Sequence, residues 1–201
     1  MTWVELVAAL VSTWAVWLTT RRVVWSCPIG LISVLLYAWV FVVAKLYSDA
    51  LLQGLFGVMI LYGWWHWTRH LDATGKVEPT PLPVARGARH LALGALGAVA
   101  LGATMHYGTD AALPWLDAAL TAASLVGQWW QSRRHIAAWW LWIVVDVVYV
   151  GEYVYKDLRI TAVLYVLFVA LAVLGLRNWQ RARGPRTTAG GAGTGRARVR
   201  E

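Results

Sequence analysis

Five residues between positions 139 and 153 carry most of the chemistry this sequence offers. Trp139, Trp142, Asp146, Tyr149 and Tyr153 are spaced 3, 4, 3 and 4 apart, which places them along one face of a helix. The run around them is otherwise apolar, and an acid at its centre is costly unless it faces a cavity or a partner. Rings one turn from the carboxylate would flank a flat ligand. The competing reading is that Asp146 hydrogen-bonds a neighbouring helix while the tryptophans face lipid.

A second group lies around LYGWWHW, residues 61–67. Trp64 and Trp67 share a face at i, i+3, and Gly63 lets another helix approach closely. Gln53, one turn before Gly57, can both donate and accept hydrogen bonds. The expected division puts Gln53, Trp64 and Trp67 on a substrate path. Tyr62 and Trp65 would then belong to the aromatic belt that marks a membrane–water boundary. His66 and His70 stand at i, i+4, but no HExxH pattern or nearby acid completes a zinc site. An enzyme is therefore not expected, nor is a metal or cofactor.

The elements that position these residues follow from composition. Of 201 residues, 59% are hydrophobic and 14% charged, too little charge for the surface of a soluble domain. Seven apolar segments, at 3–19, 24–43, 50–67, 90–105, 113–129, 136–153 and 160–176, each approach the length needed to cross roughly 30 Å of hydrocarbon as a helix. The fold class expected is an all-α membrane protein with seven transmembrane helices. The fourth segment, HLALGALGAVALGATM, is rich in glycine and alanine and suits close helix packing. Pro28 and Gly30 near the start of the second segment fit either a hinge or an ordinary first-turn proline. No basic stretch precedes the first segment, so a cleaved leader is not expected. The single Cys27 excludes an intrachain disulfide.

If the helices alternate, one side receives Arg21, Arg22, Arg69, Lys76, Arg86, Arg89, Arg133, Arg134 and the seven arginines from Arg177 onward. The other receives Lys45, Lys156 and Arg159. That asymmetry puts the N-terminus outside and the C-terminus in the cytoplasm. It also accounts for the net charge of +8 without a nucleic-acid partner. Residues 181–201 read as a disordered cytoplasmic tail.

The chain also repeats itself. At an offset of 112 residues Ser12 falls on Ser124, Trp17 on Trp129, Arg21-Arg22 on Arg133-Arg134 and Tyr37 on Tyr149. Leu46 then meets Leu158, Phe56 meets Phe168, Gly63 meets Gly175 and Trp67 meets Trp179. Residues 1–68 and 113–180 are thus expected to form two three-helix bundles. The segment 69–112, a loop and a fourth helix, links them and keeps the copies parallel. Parallel repeats about an axis along the membrane normal are a transporter architecture with substrate near the midplane. Tyr37 and Tyr149, equivalent in this register, would be paired gates or buried hydrogen-bonded tyrosines.

The run KLYSDALLQGLFGVMILYGWWHW resembles the third-helix signature of the PnuC family of bacterial vitamin transporters. WWLWIVVDVVYVGEYVYKDLRITAVLYVLFVALAVLGLRNW is similar to that family's sixth and seventh helices. The resemblance implies a fold like that of SWEET sugar transporters, with two three-helix bundles joined by a linking helix (3+1+3). It also implies a homotrimer in the bacterial cytoplasmic membrane, each protomer with its own path. The activity implied is facilitated diffusion of nicotinamide riboside, with trapping by cytoplasmic phosphorylation; thiamine and riboflavin are carried by some members. Nicotinamide riboside and thiamine each contain a ring with a fixed positive charge. Aromatic faces and a carboxylate attract such cations, so the resemblance assigns Trp139, Trp142, Asp146 and Tyr149 to substrate binding, with Gln53 suited to ribose hydroxyls or a carboxamide. Asp146 has no second carboxylate in sight at membrane depth, which favours a uniporter whose two bundles rock about the site.

Overall fold

In the computed structural model the described residues are 3–43, 45, 47–108, 113–155, 157 and 159–183. They form seven helices: α1 (Trp3–Thr20), α2 (Ser26–Val43), α3 (Tyr47–Thr68), α4 (Val84–Gly108), α5 (Pro114–Ser132), α6 (Ala137–Tyr155) and α7 (Arg159–Arg181). The tail expected to be disordered lies, from residue 184 on, outside the described residues, as does the Leu46–Leu158 pair.

Six of the helices close into a ring. Going round it, α1 packs on α2, α2 on α3, α3 on α5, α5 on α6, α6 on α7, and α7 back on α1. The fourth helix stands outside the ring against α5 alone. Small residues make that contact possible: a Cβ on Gly102 would lie 2.6 Å from the Trp115 ring, and one on Gly94 2.9 Å from Val126. The rest of α4 presents Leu91, Leu93, Leu96 and Val99 outward.

Helices α1, α2, α4, α6 and α7 are long and apolar enough to cross a membrane. The other two, α3 and α5, are long but less apolar, because they turn Gln53, Thr121, Ser124, Gln128 and Gln131 toward the ring's interior. A polar face is tolerated at membrane depth where it lines a cavity.

Similar turns follow α1 and α5, and α2 and α6. Arg22 follows α1 in the left-handed region with φ 63°, and Arg134 follows α5 with φ 62°. Lys45 after α2 and Asp157 after α6 have φ 60° and 55°. The Arg21 guanidinium lies 4.4 Å from the centroid of Trp17, and that of Arg133 lies 5.6 Å from Trp129, a cation–π contact at the same register. We call this end of the ring the basic end.

The segment between α3 and α4 straps the basic end. Its Val77 N–H donates to the Arg22 carbonyl at 3.0 Å, and its Thr80 N–H donates to the Arg134 carbonyl at 2.9 Å. The Arg22 side chain reaches back to the Asp72 carboxylate at 2.8 Å and to the Val77 carbonyl at 3.1 Å. Arg134 donates to the Glu78 carbonyl at 2.7 Å. Burial alone would raise the Asp72 carboxyl, but hydrogen bonds from Thr74, Arg22 and the Lys76 and Thr74 N–H groups hold it well below the usual carboxylate range.

Candidate functional site

The ring encloses a cavity of about 370 Å³, within the size range of small-ligand sites. Near the basic end Trp67 and Trp139 line it, with Trp179 packed against both as a tryptophan floor. Trp67 on α3, 2% exposed, donates its indole N–H to the Gln131 carbonyl at the end of α5, at 3.2 Å. Trp179 on α7 does the same to the Thr19 carbonyl at the end of α1, at 2.9 Å. The Trp67 and Trp179 rings lie 5.8 Å apart, and Trp139 meets Trp179 edge-on at 5.6 Å. Trp67 thus ties α3 to α5, and Trp179 ties α7 to α1.

Two glycines let rings into the wall. Gly175 faces Trp139 so closely that a Cβ would lie 2.5 Å from its Cη2 and Cζ3, and Gly127 faces Trp142 with 3.3 Å to Cε2. Further from the basic end, Asp146 opens onto the cavity while buried from solvent. Among the described residues it has no hydrogen-bond or ion-pair partner, and it is the only acid on the wall. Beyond it Tyr149, Tyr153 and Tyr165 form a mutual aromatic cluster with centroids 5.7, 4.9 and 5.0 Å apart.

Of the expected site residues, Gln53, Trp67, Trp139, Trp142, Asp146, Tyr149 and Tyr37 all meet on this cavity. Trp64 does not; it is packed against the core around Trp67 and Trp139 and is displaced from the expected path because Gly63, its neighbour, is the residue that faces α5. Tyr62, expected in the belt, is half-buried and held by protein contacts. Its ring stacks on Trp129 at 5.4 Å, and its hydroxyl accepts from Arg133 at 2.9 Å, so it seals the α3–α5 contact. Trp65 is exposed, with Arg69 4.0 Å above its ring, as a belt residue would be.

Several wall residues escaped the sequence reading: Ser12, Phe56, Gln128, Gln131, Tyr165 and Phe168. Two signals were present. Ser12 pairs with Ser124 and Phe56 with Phe168 at the 112-residue offset, and all four line the cavity.

The sequence model of the "Nicotinamide mononucleotide transporter" family matches residues 2–181. The chain belongs to that family. It is 28% identical over 180 residues to the riboflavin/roseoflavin transporter RibM of Streptomyces davaonensis, covering 88% of this chain and 84% of that one. It is 24% identical over 214 residues to the nicotinamide riboside transporter PnuC of Escherichia coli, covering 92% and 90%. The crystal structure of the vitamin B3 transporter PnuC superposes with a TM-score of 0.74 at 26% identity, covering 90% of this chain and 81% of that chain. The family members matched are membrane transporters rather than enzymes, and the resemblance to PnuC read from helices three, six and seven is confirmed. Among the described residues no group of His, Cys, Asp and Glu is placed to hold a metal ion, including His66 and His70.

Proposed function

We propose that the protein is a uniporter that carries nicotinamide riboside across the bacterial cytoplasmic membrane. The observation that carries this reading is the buried Asp146 carboxylate, alone on the cavity wall among the described residues and set beside Trp142 and Tyr149. A pyridinium supplies the missing counter-charge and stacks on aromatic faces. Since no second acid lines the cavity among the described residues, proton coupling has no paired carboxylates there to work through.

The two halves act as parallel repeats of a 3+1+3 fold with α4 as linker. The recurrence of left-handed turns and floor tryptophans at an offset of 112 supports this. So does the pairing of α3 with α5 and of α7 with α1, which are equivalent contacts if the halves exchange. Rocking of the halves would expose the cavity at either end in turn. The basic end faces the cytoplasm by the positive-inside rule, with the N-terminus outside. Three protomers assemble, each with its own path, and phosphorylation in the cytoplasm traps the product.

The test is calorimetric titration of the purified protein with nicotinamide riboside, thiamine and riboflavin, followed by uptake into proteoliposomes without an ion gradient. Riboside binding with uptake that equilibrates supports the proposal. A dependence on a proton or sodium gradient overturns uniport, and binding of thiamine alone overturns the substrate. Riboflavin is the second reading, favoured by the similarity to RibM; its binding in place of the riboside would assign the cavity to an uncharged ring.

A further inference from the structure

Near the tryptophan floor, three side chains on the cavity wall have polar atoms without any protein partner. Gln131, 7% exposed, pairs neither its amide nitrogen nor its side-chain oxygen. Trp139, 2% exposed, leaves its indole N–H unpaired, and the hydroxyl of Ser26 is likewise unbonded. All three residues line the cavity. The positions equivalent to them in the other half show no such deficit. Thr19, in the place of Gln131, donates its hydroxyl to the Ala15 carbonyl at 2.9 Å, while Cys27 and Ala138 stand where Trp139 and Ser26 do.

Buried polar groups are normally satisfied, and an unsatisfied one is retained at a cost to stability. The set offers N–H donors from the amide and indole, one amide acceptor, and a hydroxyl that does both. It holds no charge. Such a set fits neither an anion nor a cation, but it matches vicinal hydroxyls, which also donate and accept.

We propose that Gln131, with Trp139 Nε1 and Ser26, forms a hydroxyl-binding subsite that holds the sugar or polyol part of the substrate near the basic end, while its ring lies between Trp142, Asp146 and Gln53. This rests on reading the cavity as the transport site. It fixes the orientation: ring away from the basic end, hydroxyls toward it. Gln53 is then left to pair with a polar group on the ring, such as a carboxamide.

The test compares ligand pairs that share a ring and differ in hydroxyls: nicotinamide riboside with 1-methylnicotinamide, and riboflavin with lumiflavin. Each is titrated into wild type and Gln131→Met, an apolar side chain of similar size. The variant is expected to bind the hydroxylated member of the accepted pair about tenfold more weakly or worse, the loss of one or two hydrogen bonds, with the ring-only member unchanged. Its melting temperature without ligand is expected to hold or rise, since an unpaired buried amide has been removed. Equal loss for both members, no loss for either, or a variant that melts well below wild type would each overturn the subsite. Riboflavin in place of the riboside would change the substrate but keep the subsite, provided lumiflavin binding is spared. Failure of wild type to bind either hydroxylated ligand would overturn both readings.

Discussion

Gly175→Ala tests whether the cavity wall depends on the contact between α7 and Trp139. A Cβ at this position would sit 2.5 Å from Cη2 and Cζ3 and 2.6 Å from Cε3 of the ring, where ordinary contact begins near 3.4 Å. Trp179 holds the ring edge-on from one side, so it can yield only toward the cavity that it lines. Either the indole or α7 must move by roughly 1 Å, and overpacking of this kind costs about 1–3 kcal/mol. Alanine's better helix propensity offsets about 1 kcal/mol of that. The control is Gly97→Ala on α4, where nothing lies within 4 Å of the added Cβ and only the propensity gain applies. The two substitutions should therefore separate by about 1–3 kcal/mol, or about 2–12 °C in melting temperature for a chain of this size, with Gly175→Ala the less stable. Melting in detergent, read alongside substrate titration, gives both quantities. Gly175→Ala that melts at or above the Gly97→Ala variant and keeps wild-type affinity would refute the packing argument.

Other perturbations reach different parts of the structure. Asp146→Asn should weaken binding of nicotinamide riboside about tenfold or more while leaving an uncharged ligand nearly unaffected; equal affinity in calorimetry would return Asp146 to a structural role. Asp72→Asn should lower the melting temperature, because one carboxylate oxygen accepts from Thr74 and Lys76 and the other from Arg22; an unchanged value would remove the strap from the stability argument. His135 is held neutral, pushed down from 6.5 to about 4 by burial and then by Arg133 and Arg86. The unfolded chain binds this proton first, so stability should fall as pH drops from 6.5 toward 4 and level off below. His135→Gln should flatten that part of a melting-temperature profile.

Hydropathy made the membrane class legible, and the 3.6-residue period made α6 legible, because a helix in hydrocarbon must satisfy its own backbone and the chain shows where lipid ends. The limits of α4 were less clear. It starts at Val84, directly after Pro83, whereas the apolar run starts near residue 90; Arg86 and Arg89 extend the helix beyond the segment that hydropathy registers. Convergence of Asp146, Trp142, Tyr149, Tyr37 and Gln53 could be read from residue type and repeat register. The placing of Trp64 and Tyr62 could not, because adjacent aromatics on α3 differ only in which helix they meet, and that depends on how α3 docks on α5. Gln131 could not be placed either, because it stands beside the charged run SRRH and a one-dimensional pattern does not show that the end of α5 lines the cavity.

The cavity combines a frame whose geometry recurs with a lining that has diverged. Turns, floor tryptophans and the Ser12–Ser124, Tyr37–Tyr149 and Phe56–Phe168 pairs match across the halves. Where Trp139, Trp142 and Asp146 stand, however, the first half has Cys27, Gly30 and Val34, and where it has Gln53 the second has Tyr165. In the proposed rocking, the like clasps of α3 on α5 and of α7 on α1 would let both ends open with similar energetics. A substrate with a ring at one end and hydroxyls at the other has no such symmetry. It would need a bulky aromatic wall with a charge on one side only, and Trp142 with Asp146 stands at positions where the first half has Gly30 and Val34. On the proposed function, recurrence would serve the movement and divergence the recognition.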